Sequence, residues 1–362
     1  MDRRKFIKTA GLGAAAAAAS APLAAPAIAS DVRHLKMVTS WPKNFPGLGT
    51  AAARFAKRVE AASDGRFKIR VYAGKELVHP LKCLDAVQEG TAELYHSADY
   101  YYKGKDMGFA FYSAVPFGFT ATEMNAWLYH GGGQKLWDEL GAGFGVKGLP
   151  CGNSGVQMGG WFRKEVKTLE DFKGLKMRMP GLGGDVLNAI GATALTLAGG
   201  EIMPALQAGT IDATEWVGPW NDLAFGFYKV TKHYYYPGFH EPGTMLSLGI
   251  SKKFWDSLSD TDKAIFENCA QAENSYDLAE FNANNGAALN TLITKHGVKL
   301  HEFSDEIFKG FGEASKDVMA KAAESSPMAK KIYASFMDFK KRVQGWTEIS
   351  DVAYAQKRAL VK

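Results

Sequence analysis

The sequence is poor in the patterns that announce catalysis, metal clusters or nucleic-acid binding. Its 362 residues hold only three cysteines, Cys83, Cys151 and Cys269. An odd number, widely spaced, excludes a full disulfide framework and lacks the spacing of a zinc site. Buried free thiols are the expectation, with one bridged pair as the alternative. None of the eight histidines forms an H-E-x-x-H pair. His79, His233 and His240 stand isolated, and a structural role is the simpler reading for each. GLGGDV at 181–186 lacks the third glycine of a dinucleotide fingerprint. Gly152-Asn153-Ser154-Gly155 falls one residue short of a nucleophile elbow, which leaves Ser154 as a turn residue. Basic residues number 43 against 38 acidic ones. With no basic run and no interleaved stacking motif, no nucleic-acid partner is expected. Beyond the N-terminus no segment offers the ~20 apolar residues that a helical membrane span requires.

The N-terminus holds what the rest lacks. MDRRKFIKTAGLGAAAAAASAPLAAPAIAS carries a twin arginine (Arg3, Arg4), then Phe6 and Lys8, an alanine-rich run, and an A-x-A site at Ala27-Ile28-Ala29. Residues 1–29 therefore read as a twin-arginine export signal, removed from a mature chain that works in the periplasm. A retained N-terminal anchor is the alternative. The segment sets four basic residues against Asp2, so its removal lowers the formal charge from +5 to +2.

From His34 onward, short β-type runs alternate with helical ones whose apolar residues recur at three and four, as in Ala52, Phe55, Ala56 and Val59. A second βα series starts near Gly152 and closes with VTKHYYYPGFHEPG. After the strand-like TMLSLGISKK the chain reads as mainly helical. This is α/β grammar in two series, joined by extended crossings near 150 and 244, and it predicts two lobes with a cleft between them. The expected organisation is a first lobe over 30–152 with part of 245–325, a second lobe over 153–244, a crossing strand and linking helices over 245–325, and a helical segment over 326–362. In that last segment Ile332, Phe336, Phe339, Val343, Trp346 and Ile349 form one apolar stripe. It packs on its own domain or, alternatively, on a second copy in a homodimer.

Without a catalytic constellation, the informative residues are polar groups at second-lobe strand ends, where open α/β sheets place their ligands. In DFKGLKMRMPGLGG, Leu175, Met177 and Met179 alternate with Lys176 and Arg178 before Pro180-Gly181 stops the strand. Taken alone, Arg178 belongs on a solvated outer face. Yet Gln157 and Asn153 follow the first crossing, and Glu215-Trp216 end another strand. Asn153 and Gln157 have turn capping as their alternative role, and Trp161, Trp216 and Trp220 have the core.

DFKGLKMRMPG, PALQAGTIDATEW and AAARFAKRVEAASDGRFKIRVY resemble the solute receptors of tripartite ATP-independent periplasmic (TRAP) transporters, the DctP family, over residues 34 to about 345. HSADYYY, GNSGVQMGGW and ATEWVGPW are most similar to the branch that binds 2-oxo and 2-hydroxy acids with a metal cation. The resemblance implies a two-lobed receptor, not an enzyme, that passes a small organic acid anion to membrane permease subunits. It also implies a two-pronged contact from Arg178 to the ligand carboxylate, with Tyr100 or Tyr101 from the first lobe. A ligand carboxylate beside Glu215 leaves negative charge that Na⁺ or Ca²⁺ would relieve. The side chains of Gln157 and Glu215 and the carbonyl of Trp216 are the expected ligands, with Glu241 as an extra one and no organic cofactor. A dicarboxylate or sugar-acid receptor would need a second fixed cation. A periplasmic oxidoreductase, a frequent cargo of twin-arginine export, is the rival class.

Overall fold

The computed structural model describes residues 32–361, so the expected export signal lies outside the described residues. Eleven strands follow in chain order: β1 (Arg33–Thr39), β2 (Phe67–Tyr72), β3 (Leu94–Ser97), β4 (Val146–Asn153), β5 (Gly160–Phe162), β6 (Lys176–Arg178), β7 (Thr193–Leu195), β8 (Ala213–Thr214), β9 (His233–Tyr236), β10 (Met245–Ser251) and β11 (Lys299–Glu302). They build two mixed sheets, β2-β1-β3-β10-β4 and β11-β9-β5-β8-β6-β7.

The first sheet pairs β1 with β2 and β3 in parallel, and β10 returns antiparallel between β3 and β4. Helix Leu48–Ala62 covers it with Leu48, Ala51, Ala52, Phe55, Ala56 and Val59 buried, the three-and-four spacing of an amphipathic helix. Strand β10, between β3 and β4, is buried along nearly its whole length, with small Ser247 and Gly249 alternating with Leu246, Leu248 and Ile250. Gly249 within it has a definite cause. A Cβ there would lie 1.9 Å from the Tyr95 ring, so only glycine lets that ring cross the strand.

The chain passes between sheets twice, from β4 to β5 and from β9 to β10, and the two passages run side by side. Ser154 N–H donates to Thr244 O at 3.0 Å, Gln157 N–H to Glu241 O at 3.0 Å, and Gly238 N–H to Gln157 O at 2.9 Å. Helix Asp260–His296, capped by Ser259 and ended by left-handed Gly297, bridges both sheets. Near its start Phe266 packs on Phe55 and Phe67 of the first lobe; further on, Phe281 packs on Trp220 and His296 stacks on Tyr228 of the second.

Two details go beyond the sequence pattern. The region after residue 252 is mainly helical as expected, but β11 adds to the second sheet as a parallel edge beside β9. Its KLHE carries no apolar alternation, because an exposed edge strand needs none. The C-terminal stripe also splits. Ile332 and Phe336 are fully buried, whereas Trp346 and Ile349 are 67% and 72% exposed. Cys83, Cys151 and Cys269 are buried and unpaired.

Candidate functional site

Arg178 ends β6 in register with Thr214 of β8, so Glu215 and Trp216 follow at the same sheet edge. Lys176 at the strand start is exposed, but Arg178 is fully buried, which overturns a solvated face. Its Nη1 donates to the Glu215 carboxylate and, at 3.1 Å, to the Glu215 carbonyl; Nε reaches Leu197 O at 3.3 Å and Nη2 reaches Tyr101 Oη at 3.3 Å. The guanidinium lies 4.9 Å over the Trp216 ring. Burial opposes its charge, but Glu215 and the neighbouring Tyr101, Tyr100 and Glu241 outweigh burial and hold the pKa above its ordinary value.

Tyr100 and Tyr101 leave the carboxyl end of β3 in the 3-10 turn Asp99–Tyr102 and both border the cleft. Tyr101 meets Arg178, while the Tyr100 ring rests on Gly181. Burial, reinforced by Glu241 beside Tyr100, raises both phenol pKa values, so each ring offers a neutral hydroxyl.

The paired passages supply the other wall. Gln157 Nε2 donates to Ser154 Oγ at 2.8 Å and to Thr244 Oγ1 at 3.1 Å, and Thr244 Oγ1 donates to Glu241 Oε2 at 2.5 Å. Burial first, then Glu215, raises the Glu241 carboxyl to about 7. Asn153 takes the capping role: its Nδ2 donates to Gly243 O and its Oδ1 accepts from Gly155 N–H at 2.8 Å. These bonds fix the passage that carries Gln157. Trp161 belongs to the core, stacked on Tyr234, and Trp220 packs against the bridging helix.

Sequence reasoning missed two histidines. His240 Nε2 lies 3.4 Å from Glu215 Oε2, and Glu215, His240 and Glu241 present ligand atoms within 4.8 Å of one another. The adjacent H-E pair in FHEPG was the only local signal. His96 holds the cleft wall from behind. It accepts from Trp41 Nε1 at 2.7 Å on Nδ1, and its Nε2 faces Cys151 O at 3.0 Å. Burial lowers its pKa to about 4, so it is neutral and Nε2 carries the proton. Trp41 then meets Trp216 edge-on at 6.3 Å.

The lobes close on a cavity of about 10 Å³, walled on its apolar side by Trp41, Leu48, Val217 and Leu246. That is the space of one water. Lys103 to Asp185 at 2.6 Å and Lys75 to Glu201 at 3.1 Å tie lobe to lobe across the rim. A solute must therefore enter by parting the lobes. A larger groove of about 530 Å³, between Phe117, Phe308 and Phe336, lies away from the strand ends where these groups converge.

Around the closed cleft several buried polar atoms have no hydrogen-bond partner: Gln157 Oε1, Glu215 Oε2, Trp216 Nε1 and both ring nitrogens of His240. Unmatched buried groups of this kind cost about 1–3 kcal/mol each; the Trp216 indole N–H can only donate, whereas Glu215, His240 and Glu241, with ligand atoms within 4.8 Å of one another, are a set that could hold a cation.

The model of the DctP family, "bacterial extracellular solute-binding protein, family 7", matches residues 37–326. A monocarboxylate 2-oxoacid-binding periplasmic protein of Nostoc sp. is 42% identical over 88% of this chain and 87% of its own length. A TRAP solute-binding protein of Bordetella bronchiseptica, solved as a mixed-occupancy dimer with copurified calcium and picolinate, superposes with a TM-score of 0.89 at 36% identity, over 91% of this chain and 98% of that one. One from Pseudoalteromonas atlantica with bound sodium and pyruvate gives 0.87 at 38% identity, over 90% and 99%. With two α/β lobes closing on buried polar groups and a family model that spans most of its length, the chain belongs to the DctP family: it is a solute receptor of a TRAP transporter, which delivers its ligand to a membrane permease, and not an enzyme.

Proposed function

We propose that the cleft captures a small 2-oxo or 2-hydroxy monocarboxylate together with a cation. The observation that carries this is the charge and valence of the buried cluster. Arg178 faces two buried carboxylates, Glu215 and Glu241, so with both ionised the site is one charge negative before any anion arrives. A ligand carboxylate brings the sum to minus two. Two carboxylates about 4 Å apart repel by about 4 kcal/mol at an effective dielectric of 20. A cation relieves this, and a 2-oxo acid offers it a chelating pair of oxygens.

Arg178 would turn its fork to the ligand carboxylate in place of Glu215, and Tyr100 or Tyr101 would add a first-lobe hydroxyl. Gln157 Oε1, Glu215 and the Trp216 carbonyl would hold the cation, with Glu241 as a further ligand. The oxoacid name of the Nostoc relative and the pyruvate and picolinate in the two neighbours support this ligand class. Arg178 is the one buried arginine that meets Glu215, Trp216 and Tyr101 at the strand ends, and a single fixed cation suits a monocarboxylate better than a dicarboxylate or sugar acid. Calorimetric titration of pyruvate with Ca²⁺ or Na⁺ present tests the assignment. Saturable binding is expected, and no heat in either salt would contradict it.

Among the described residues no helix is long and apolar enough to cross a membrane. We infer export of the mature chain to the periplasm through the twin-arginine signal in residues 1–29, which N-terminal sequencing of the secreted protein would check. The exposed end of the C-terminal stripe, Trp346 and Ile349 with Tyr354 at 67% exposure, favours a homodimer through this helix. A clean monomer in sedimentation at micromolar concentration would exclude it.

A further inference from the structure

We propose that Lys103 and Asp185 form a latch that sets how long a captured solute stays in the cleft, so that an ion pair at the rim governs release. The inference rests on the capture of a small carboxylate proposed above and adds to it the residues that time its departure.

The two side chains come from opposite lobes, each from an element that also serves the site. Lys103 closes the 3-10 turn Asp99–Tyr102, which carries Tyr100 and Tyr101. Asp185 lies on helix Gly181–Ala189, which starts just past Arg178 at Pro180. Lys103 Nζ donates to Asp185 Oδ1 and Oδ2, each at 2.6 Å, and to Gly181 O at 2.8 Å. An ammonium has three protons, and all three find acceptors on this one helix.

The same turn sends Tyr101 Oη to Arg178 at 3.3 Å and rests the Tyr100 ring on Gly181, where a Cβ would lie 3.3 Å from it. One short piece of the first lobe therefore carries both the site contact and the latch, and one strand-to-helix junction of the second lobe receives both. The latch forms only in the arrangement that brings Tyr101 to Arg178. Closing on a solute and engaging Lys103 are one movement.

Exposed ion pairs contribute little on average, so geometry decides whether this one matters. Its side chains are only 26% and 33% exposed, and the ammonium is held by three contacts. The other rim pair, Lys75 with Glu201, has a single contact at 3.1 Å and a lysine that is 56% exposed. It sits on helix Gly199–Ala208, beyond Leu197, whose carbonyl accepts from Arg178 Nε. This second clasp is the weaker of the two. A contact present only with the lobes closed favours that state alone. It slows release and leaves capture by the open cleft nearly unchanged.

The test uses the mature protein with pyruvate and Ca²⁺. Stopped-flow fluorescence of Trp41 and Trp216, which border the cavity, follows dissociation. Lys103→Met and Asp185→Ala should each speed release about three- to tenfold, with the association rate within about twofold. Lys103→Arg should keep release within about twofold of wild type, because it retains the charge and the donors. Asp185→Ala should add little to Lys103→Met, since both break the same pair. Wild-type release should also quicken with salt more than release from Lys103→Met. Unchanged release in both single variants, or fully additive effects in the double variant, would overturn the latch. Small-angle scattering of the solute-free protein gives a readout independent of the ligand. Lys103→Met should be more open than wild type, and identical curves would overturn the latch. A wild type that binds no pyruvate with either Na⁺ or Ca²⁺ defeats the ligand assignment alone, and the scattering comparison then decides the latch.

Discussion

Each lobe buries a carboxylate that is fully matched, and the cleft buries one, Glu215, that is not. Asp99 accepts from Tyr95 Oη at 2.9 Å, Trp137 Nε1 at 3.1 Å and Ser247 Oγ at 2.6 Å. Asp222 repeats the arrangement in the second lobe, accepting from Trp161 Nε1 at 2.9 Å, Tyr234 Oη at 2.6 Å and Val217 N–H at 3.4 Å. Glu215, by contrast, has Arg178 on one oxygen and no partner on the other, while Glu241 rests on Thr244. Burial alone therefore does not mark a site. Unmet valence alone does not mark one either: buried Asp277 has neither oxygen hydrogen-bonded and leans on Arg54 at 3.6 Å, so Glu215 is set apart by its place at the strand ends beside Arg178.

The largest effect should come from breaking a matched carboxylate. Asp99→Ala would leave a tyrosine, an indole and a serine hydroxyl buried without their acceptor, at about 1–3 kcal/mol each. Chemical denaturation should show a loss of several kcal/mol, and a loss below about 1 kcal/mol would mean that the network carries little.

Arg178→Met should act first on binding. Charge-assisted contacts are worth about 1.5–3 kcal/mol, so pyruvate affinity should fall at least about tenfold; the melting temperature should fall too, since buried Glu215 loses its cation, and circular dichroism checks that the chain still folds. Near-wild-type affinity by calorimetry would remove Arg178 from the site.

A smaller effect separates the regions by pH. Burial raises the Asp99 carboxyl to about 6 in the folded chain, against about 3.9 unfolded. Between these values the folded state holds the extra proton, so its contribution is full below pH ~4 and lost as pH rises to ~6. Melting curves of wild type and Asp99→Asn across that window should diverge, the wild type losing relative stability as pH rises. Parallel curves would mean that Asp99 stays ionised.

The smallest change concerns the wall. Trp41→Phe leaves His96 Nδ1 without its donor, which should cost about 1 kcal/mol and weaken pyruvate binding by a fewfold, and unchanged affinity would make this pair purely structural.

Much of the site was legible in the sequence, for reasons that also explain what was not. A strand that stops on Arg178 at Pro180-Gly181, and another that stops on Glu215-Trp216, are local signals. The burial of Arg178 is not, since the period-2 pattern groups it with exposed Lys176. Only the tertiary fold brings Tyr101 and Trp216 over its end of the strand. His240 was hidden for the same reason: its partner Glu215 lies twenty-five residues away on another strand end. β11 was hidden because its pairing with β9 leaves no apolar period in KLHE. The C-terminal stripe shows the converse limit. Helical spacing joins Ile332 to Ile349 on one face, but it does not say where the protein body beneath that face ends.

The central claim is that the cleft takes an anion and a cation together. The most direct measurement is calorimetric titration of pyruvate into exhaustively dialysed protein, with and without added Na⁺ or Ca²⁺, repeated on Glu215→Ala. Positive coupling is expected, each ligand raising the affinity of the other by the same factor as linkage requires, with most of that factor lost in Glu215→Ala. Equal pyruvate affinity in every condition, with no metal found by elemental analysis, would contradict the claim and leave a protonated carboxyl in the cleft as the better account.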